Sequence, residues 1–208
     1  MRTTNWDLYY SRPFKATIFT RRITGSYLVG LIRRYFKDTK SLELAEFGGA
    51  NSCFFNLIDI KIKPHKYWVV DNNKFGLDIF KKRIGKRQDV FLLNSDVRKF
   101  YTEKRFDLIF SVGLIEHFNR EDMKIVIERH FKSLKTGGIV ILFFPTPTLL
   151  YRLTRFLAEI TGVWAFHDES PLKIKDVVMI AGNYGKVLFS KINWWIFLTQ
   201  GMVVVKKN

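Results

Sequence analysis

From residue 41 onward, short apolar runs alternate with longer segments in which apolar residues recur every three or four positions. The runs Leu42–Phe47, Tyr67–Val70, Val90–Leu93, Phe106–Ser111 and Gly138–Phe144 have strand length. Between them, about Ser52–Ile60, Lys74–Ile84 and Asp122–Lys135 carry a helical period, the last ending at the stop signal Gly137-Gly138. Strands alternating with helices predict right-handed βαβ units. Two later strand-like runs, Lys186–Ile192 and Met202–Lys206, complete an expected Rossmann-like α/β fold. Its expected form is a doubly wound, mostly parallel seven-stranded sheet with helices on both faces and an N-terminal helical cap.

The flanks follow a helical period. Phe14, Ile18, Tyr27, Leu28, Leu31, Ile32 and Tyr35 are spaced for helices broken at Gly25, with arginines on much of the other face. Such a segment is either a cap laid on the domain or a basic amphipathic surface that touches lipid. After Pro145-Thr146-Pro147 an amphipathic helix is expected over Leu149–Trp164, with Leu150, Leu153, Leu157, Ile160 and Trp164 on one face. A polar loop, His167–Pro171, and a helix near Lys173–Ala181 come next. The simplest partition is a single domain over 1–208: cap 1–40, core 41–147, substrate-side insertion 148–182 and final strands 183–208.

Composition narrows the partners. With 208 residues, 47% of them hydrophobic, the chain can bury a sizeable core. Its formal net charge of +16 calls for an anionic partner: nucleic acid, anionic lipid, or a nucleotide- or diphosphate-linked substrate. The basic residues are spread along the chain, and no basic tail with interleaved aromatics marks an RNA-binding appendage. One cysteine, Cys53, allows no internal disulfide, and it is placed as a small core residue of the first helix of the sheet region. The N-terminal stretch lacks the apolar core of a signal peptide. The longest apolar stretch, Gly138–Leu150, is shorter than the roughly 20 residues a membrane span needs. The expected location is the cytoplasm, with peripheral contact at the inner membrane face left open.

The candidate chemistry lies at the ends of the expected strands. Glu46-Phe-Gly48-Gly49-Ala50-Asn51-Ser52 stands where the first strand gives way to a helix, the place where a nucleotide-shaped ligand meets an open sheet. About 23 residues beyond Gly48, Asp71 ends the second run, where an acid accepts both hydroxyls of a ribose. Asn72 follows it. Asp96-Val97 follows the third run, where a carboxylate receives the exocyclic amine of adenine.

In this order the blocks resemble those of the class I S-adenosylmethionine (SAM)-dependent methyltransferases, most closely the small type 11 group. Leu44–Gly48 is similar to the family's first motif, Val69–Asp71 to its ribose motif and Asn94–Val97 to its adenine motif. Phe106–Ser111 with Leu114–Phe118 resembles its fourth strand and Glu-His signature, and Leu134–Pro145 the turn into its fifth strand. The resemblance implies SAM as cofactor, with its methionine end at Glu46 and the following loop and its sulfonium above Ser111–Gly113. One departure is evident: the usual Gly-x-Gly-x-Gly is Gly48-Gly49-Ala50-Asn51-Ser52, in which Ala50 adds a Cβ where the backbone must come close and Asn51 tolerates a left-handed backbone better than most residues. A dinucleotide oxidoreductase would share the architecture, but Gly-x-Gly-x-x-Gly is missing.

Methyl transfer needs alignment, exclusion of water and removal of a proton when the acceptor is a hydroxyl. Two histidines are candidate bases. The resemblance turns His117 toward the pocket, and His167 lies in the expected insertion. His65 and His130 have no motif context and take no role. Adjacent residues such as His167, Asp168 and Glu169 rarely converge on one ion, so no metal requirement is expected. Ser111-Val-Gly-Leu replaces the Asp/Asn-Pro-Pro-aromatic motif of exocyclic base-amine methylation. The expected acceptor is a hydroxyl or amine of an anionic small molecule or glycan, lipid- or nucleotide-linked sugars included, with RNA as the alternative.

Overall fold

The computed structural model describes residues 3–11 and 16–208. Five strands, β1 (Glu43–Phe47), β2 (Lys66–Asp71), β3 (Val90–Asn94), β4 (Phe106–Val112) and β5 (Leu134–Pro145), pair in parallel. They are joined by β6 (Gly185–Asn193) and β7 (Gln200–Lys207), with β7 antiparallel to both β5 and β6. The order β3-β2-β1-β4-β5-β7-β6 reverses direction between β1 and β4, so the crevice at their carboxyl ends is the topological switch point of the sheet.

Seven helices are described: α1 (Trp6–Ser11), α2 (Ala16–Tyr35), α3 (Phe55–Lys61), α4 (Lys74–Ile84), α5 (Arg120–Lys132), α6 (Leu149–Ile160) and α7 (Ile174–Gly182). Strand β4 shows why the sheet must be covered twice. Leu108 and Phe110 pack into one core with Leu28, Ile32, Ile58 and Phe80 from α2, α3 and α4. Ile109, pointing the other way, packs into a second core with Val126, Ile127 and Val177 from α5 and α7. A strand buried on both faces is a continuous apolar run rather than an alternating one, as Leu-Ile-Phe is here.

Three boundaries differ from expectation. The first sheet-covering helix starts at Phe55 rather than Ser52, which places Cys53 in the preceding loop. Helix α5 is capped by Asn119, whose side chain accepts from the amides of Glu121 and Asp122, and it ends at Lys132. Gly137-Gly138 is no helix stop: it lies inside β5, where Gly137 has φ +76° and a Cβ on Gly138 would meet the Lys135 carbonyl at 2.9 Å. Helix α2 is unbroken at Gly25. A Cβ there would come within 2.6 Å of Leu57 Cδ2, so the glycine permits close packing of α2 on α3 instead of ending a helix. Leu28, Leu31 and Ile32 are buried and Ile18 is exposed, while Phe14 lies outside the described residues.

Helix α6 is amphipathic, but it docks through its more polar side. Tyr151 is buried and Arg155 half-buried, while Leu149, Leu153, Leu157 and Ile160 face solvent; Leu150 is half-buried, and Trp164, beyond the helix, is buried. Among the described residues no helix is long and apolar enough to cross a membrane.

Candidate active site

Two adjoining cavities open at the carboxyl edge of the sheet, one of about 360 Å3 and one of about 220 Å3. Trp6 and Tyr10 of α1, Gly48, Gly113 and His117 belong to the walls of both, and so mark their junction.

Beside the smaller cavity stand Asp71, Asn72, Asp96 and Val97. Asp71 is buried at the end of β2; its Oδ2 accepts from the Ala50 amide at 3.0 Å and its Oδ1 from the Asn73 amide at 2.7 Å. Each carboxylate oxygen offers more than one lone pair, so acceptor capacity remains for a ligand. Burial raises this carboxyl to about 6, against the lowering effect of the amides. Asp96 is held by Arg98, whose guanidinium donates to both of its oxygens and holds the carboxyl below its ordinary value. Asn72 is exposed at the rim, whereas Val97 is buried.

The larger cavity is lined by Glu46, Gly48, Gly49, Asn51 and Cys53 on the loop side. Two glycines serve different ends here. Gly48 has φ +75°, and a Cβ on Gly49 would press within 2.6 Å of the Glu46 carboxyl carbon. The other left-handed residue of the loop is Ala50, at φ +27°, and not Asn51. Ala50 lines neither cavity; its amide serves Asp71.

Glu46 is buried, and Tyr67 Oη donates to its Oε2 at 2.6 Å. Burial pushes the carboxyl up to about 7, although the hydroxyls of Ser52 and Tyr67 work against it. Because the folded value lies above the ordinary one, the stabilising contribution is full below about pH 4.5 and is lost as pH rises through about 7, on the order of 3 kcal/mol in all. The unliganded wild-type protein is thus expected to lose thermal stability between pH 5 and pH 7.5 relative to Glu46→Gln, measured as melting temperature against pH. Parallel profiles for the two proteins would remove the charge on Glu46 from the account.

His117 follows β4 on a short 3-10 turn, Ile115–His117. Its Nδ1 is 3.1 Å from Asp168 Oδ1, and Asp168 also accepts from the Thr4 hydroxyl. Burial lowers the imidazole below its usual value despite Asp168, so the ring is neutral near pH 7 and able to take a proton. Trp6 meets the His117 ring edge-on at 5.0 Å, with Tyr10 stacked on Trp6 and Phe166 tilted against it.

The second expected base behaves differently. His167 is exposed and lines neither cavity, while its neighbours Phe166 and Asp168 do. Ser111 is buried, and its hydroxyl lies 3.1 Å from Nε2 of His130 rather than at a cavity wall, which the chain reaches at Val112, the end of β4, and at Gly113. His130 is a core residue: burial lowers it to about 4, and its Nδ1 faces the Val126 carbonyl at 2.7 Å.

Several lining residues come from separate elements, and of these the sequence marks only Glu169, as a neighbour of His167. Tyr9, Arg21, Arg83, Tyr151 and Glu169 all face the larger cavity. Arg21 donates to Tyr9, Arg83 to the Ser52 carbonyl, and Tyr151 to Glu169. Glu116, His117 and Glu169 each bring one potential ligand atom within 4.8 Å of the others, the donor types and separation that a divalent ion could use. The group differs from the run His167–Glu169. Burial, with each acid's like-charged neighbours, raises Glu116 well above its ordinary value and Glu169 to about 7, so near neutrality the pair retains a proton.

Residues 48–138 match the family model described as a methyltransferase domain. Among solved structures, the magnesium protoporphyrin IX methyltransferase of Synechocystis with bound SAH is 14% identical, with 90% of this chain and 84% of that one covered and a TM-score of 0.70. The N-methyltransferase NodS of Bradyrhizobium japonicum with SAH is 14% identical, with coverages of 88% and 86% and a TM-score of 0.63. The SAM-dependent methyltransferase SibL, in apo form, is 13% identical over all of this chain and 63% of its own, with a TM-score of 0.71. No curated protein matches the sequence. Sheet order and neighbours define the class I SAM-dependent methyltransferase fold. Over residues 48–138 the chain is similar to a methyltransferase domain, and its fold is the one in which the Synechocystis and Bradyrhizobium structures hold SAH.

Proposed function

We propose that the chain holds SAM across its two joined cavities and aligns a hydroxyl or amine of a small-molecule or glycan acceptor in the larger one for methyl transfer. The observation that carries this reading is His117, a neutral imidazole at the junction, oriented by Asp168. In the smaller cavity Asp71 accepts from the ribose hydroxyls, and Asp96, Val97 and Asn72 enclose the base. Glu46 faces the methionine ammonium, with Gly48, Gly49 and Asn51 bringing backbone close to the ligand. Ala50 acts from behind the wall, through Asp71, and Ser111 lies behind the wall, its hydroxyl beside His130 in the core. These residues fit the group because two acids, each buried in a cavity wall, stand at opposite sides of a junction lined by glycines.

When bound, SAM supplies an electrophilic methyl group on a cationic sulfur. His117 would take the proton of an acceptor hydroxyl placed at the junction, which leaves the oxygen free to receive the methyl group. Trp6 and Tyr10 exclude water from the junction and offer ring faces to the positive charge. The whole chain 1–208 works as one unit, the insertion 148–182 closing the acceptor side through Tyr151, Trp164, Phe166 and Glu169.

The test is to incubate the protein with tritiated-methyl SAM and a cell extract, then separate organic-extractable, polysaccharide and RNA fractions. Label is expected in one of the first two and absent with His117→Ala. Label confined to RNA would overturn the acceptor class.

A further inference from the structure

The outward apolar face of α6 is not isolated. Leu149, Leu153, Phe156, Leu157 and Ile160 fall on one side of the helix and all are exposed, Leu149 by 84%. Next to them stands the loop between β6 and β7. There Ile196 is buried and anchors the loop, while Trp194, Trp195 and Phe197 project outward, the last two exposed by 75% and 72%. The loop and the start of α6 are tied together by Thr148 and Thr199, whose hydroxyls are 2.7 Å apart, and Thr24 of α2 donates to Gln200 at 2.8 Å. Helix α2 adds exposed Ile18 and Phe19.

Each of these segments also lines the larger cavity, through Tyr151 of α6, Leu198 of the loop, and Thr20 and Thr24 of α2. The exposed apolar residues therefore form an outer rim, on the solvent sides of elements whose other sides line the acceptor cavity. Exposed cations stand on the same elements: Arg22 on α2, Arg152 on α6 and Lys191 on β6.

We propose that this rim is a docking surface for an anionic lipid membrane, laid on the bilayer with the acceptor cavity opening toward it. Tryptophan beside apolar side chains and cations is the composition that partitions to the headgroup boundary. The net charge of +16 favours an anionic bilayer and opposes a second copy of the same chain as the occupant. An acceptor carried on a lipid would then reach the cavity without leaving the membrane.

Vesicle binding requires no methyl transfer, so its test stands apart from that of the proposed reaction. The full chain is mixed with vesicles of phosphatidylcholine alone, or of phosphatidylcholine with phosphatidylglycerol, and sedimented. Binding is expected to the mixed vesicles, to weaken with salt, and to shift tryptophan emission to the blue. The double variant Trp195→Ser, Phe197→Ser is expected to bind roughly tenfold or more weakly with unchanged SAM affinity. A second pair, Leu153→Ser with Ile160→Ser, tests α6 separately. No binding at low salt, or binding indifferent to both pairs, overturns the proposal. So does a wild-type dimer that ignores vesicles and that the same substitutions dissociate, which would assign the surface to self-association.

Discussion

Asp71→Ala is expected to weaken SAM binding by roughly two to four orders of magnitude, because it removes two charge-assisted hydrogen bonds worth about 1.5–3 kcal/mol each. Its effect extends beyond the ribose. The same carboxylate takes the amides of Ala50 and Asn73, so alanine leaves both without their partner and releases the cofactor loop where Ala50 is held at a left-handed backbone angle. Asp71→Asn keeps an acceptor oxygen for one amide and should lose less affinity. Calorimetric titration with SAM, alongside circular dichroism to show that the variants fold, reads both effects. Wild-type affinity in Asp71→Ala would mean that the smaller cavity does not receive the nucleoside.

His117→Ala is expected to lower the rate of label transfer by about 10²–10⁴-fold, the usual contribution of a positioned base, while SAM affinity changes little. The pH dependence separates a base from a wall residue. Since His117 titrates below the ordinary histidine value, wild-type activity should persist to below pH 6.5, with the acid limb following this ring. Asp168 raises the imidazole, so Asp168→Asn should shift that limb further toward acid and cost a smaller part of the rate. A His117→Ala enzyme with an unaltered acid limb would show that the proton leaves by another route, for which Glu169, within 4.8 Å of His117 and raised to about 7, is a candidate.

The strands were legible because a centre strand such as β4 buries both faces and leaves an unbroken apolar run, and because Asp71 ends its strand at a fixed interval from the first loop. Local chemistry misled where a residue's role depends on a distant partner. Gly25 resembles a helix break until Leu57 is placed against it, and the left-handed position fell on Ala50 because its amide is pulled to Asp71 rather than by its own propensity. The acceptor side was least legible. Tyr9, Arg21, Arg83, Tyr151 and Glu169 come from separate segments that share no spacing rule, and only the folded chain gathers them. The apolar period of α6 was visible, but a period does not say which side of a helix meets the protein.

Gly48 and Gly113 both stand at left-handed angles, φ +75° and +71°, at the junction of the two cavities. Few other residues adopt such angles at low cost, so almost any mutation there is lost. The outer walls answer to a looser rule, because Thr20, Tyr151, Trp164 and Leu198 each belong to a different element and can be exchanged one at a time. Descendants of this chain could therefore trade acceptors readily while the transfer step stays as it is: the evolutionary freedom of the fold lies in its rim.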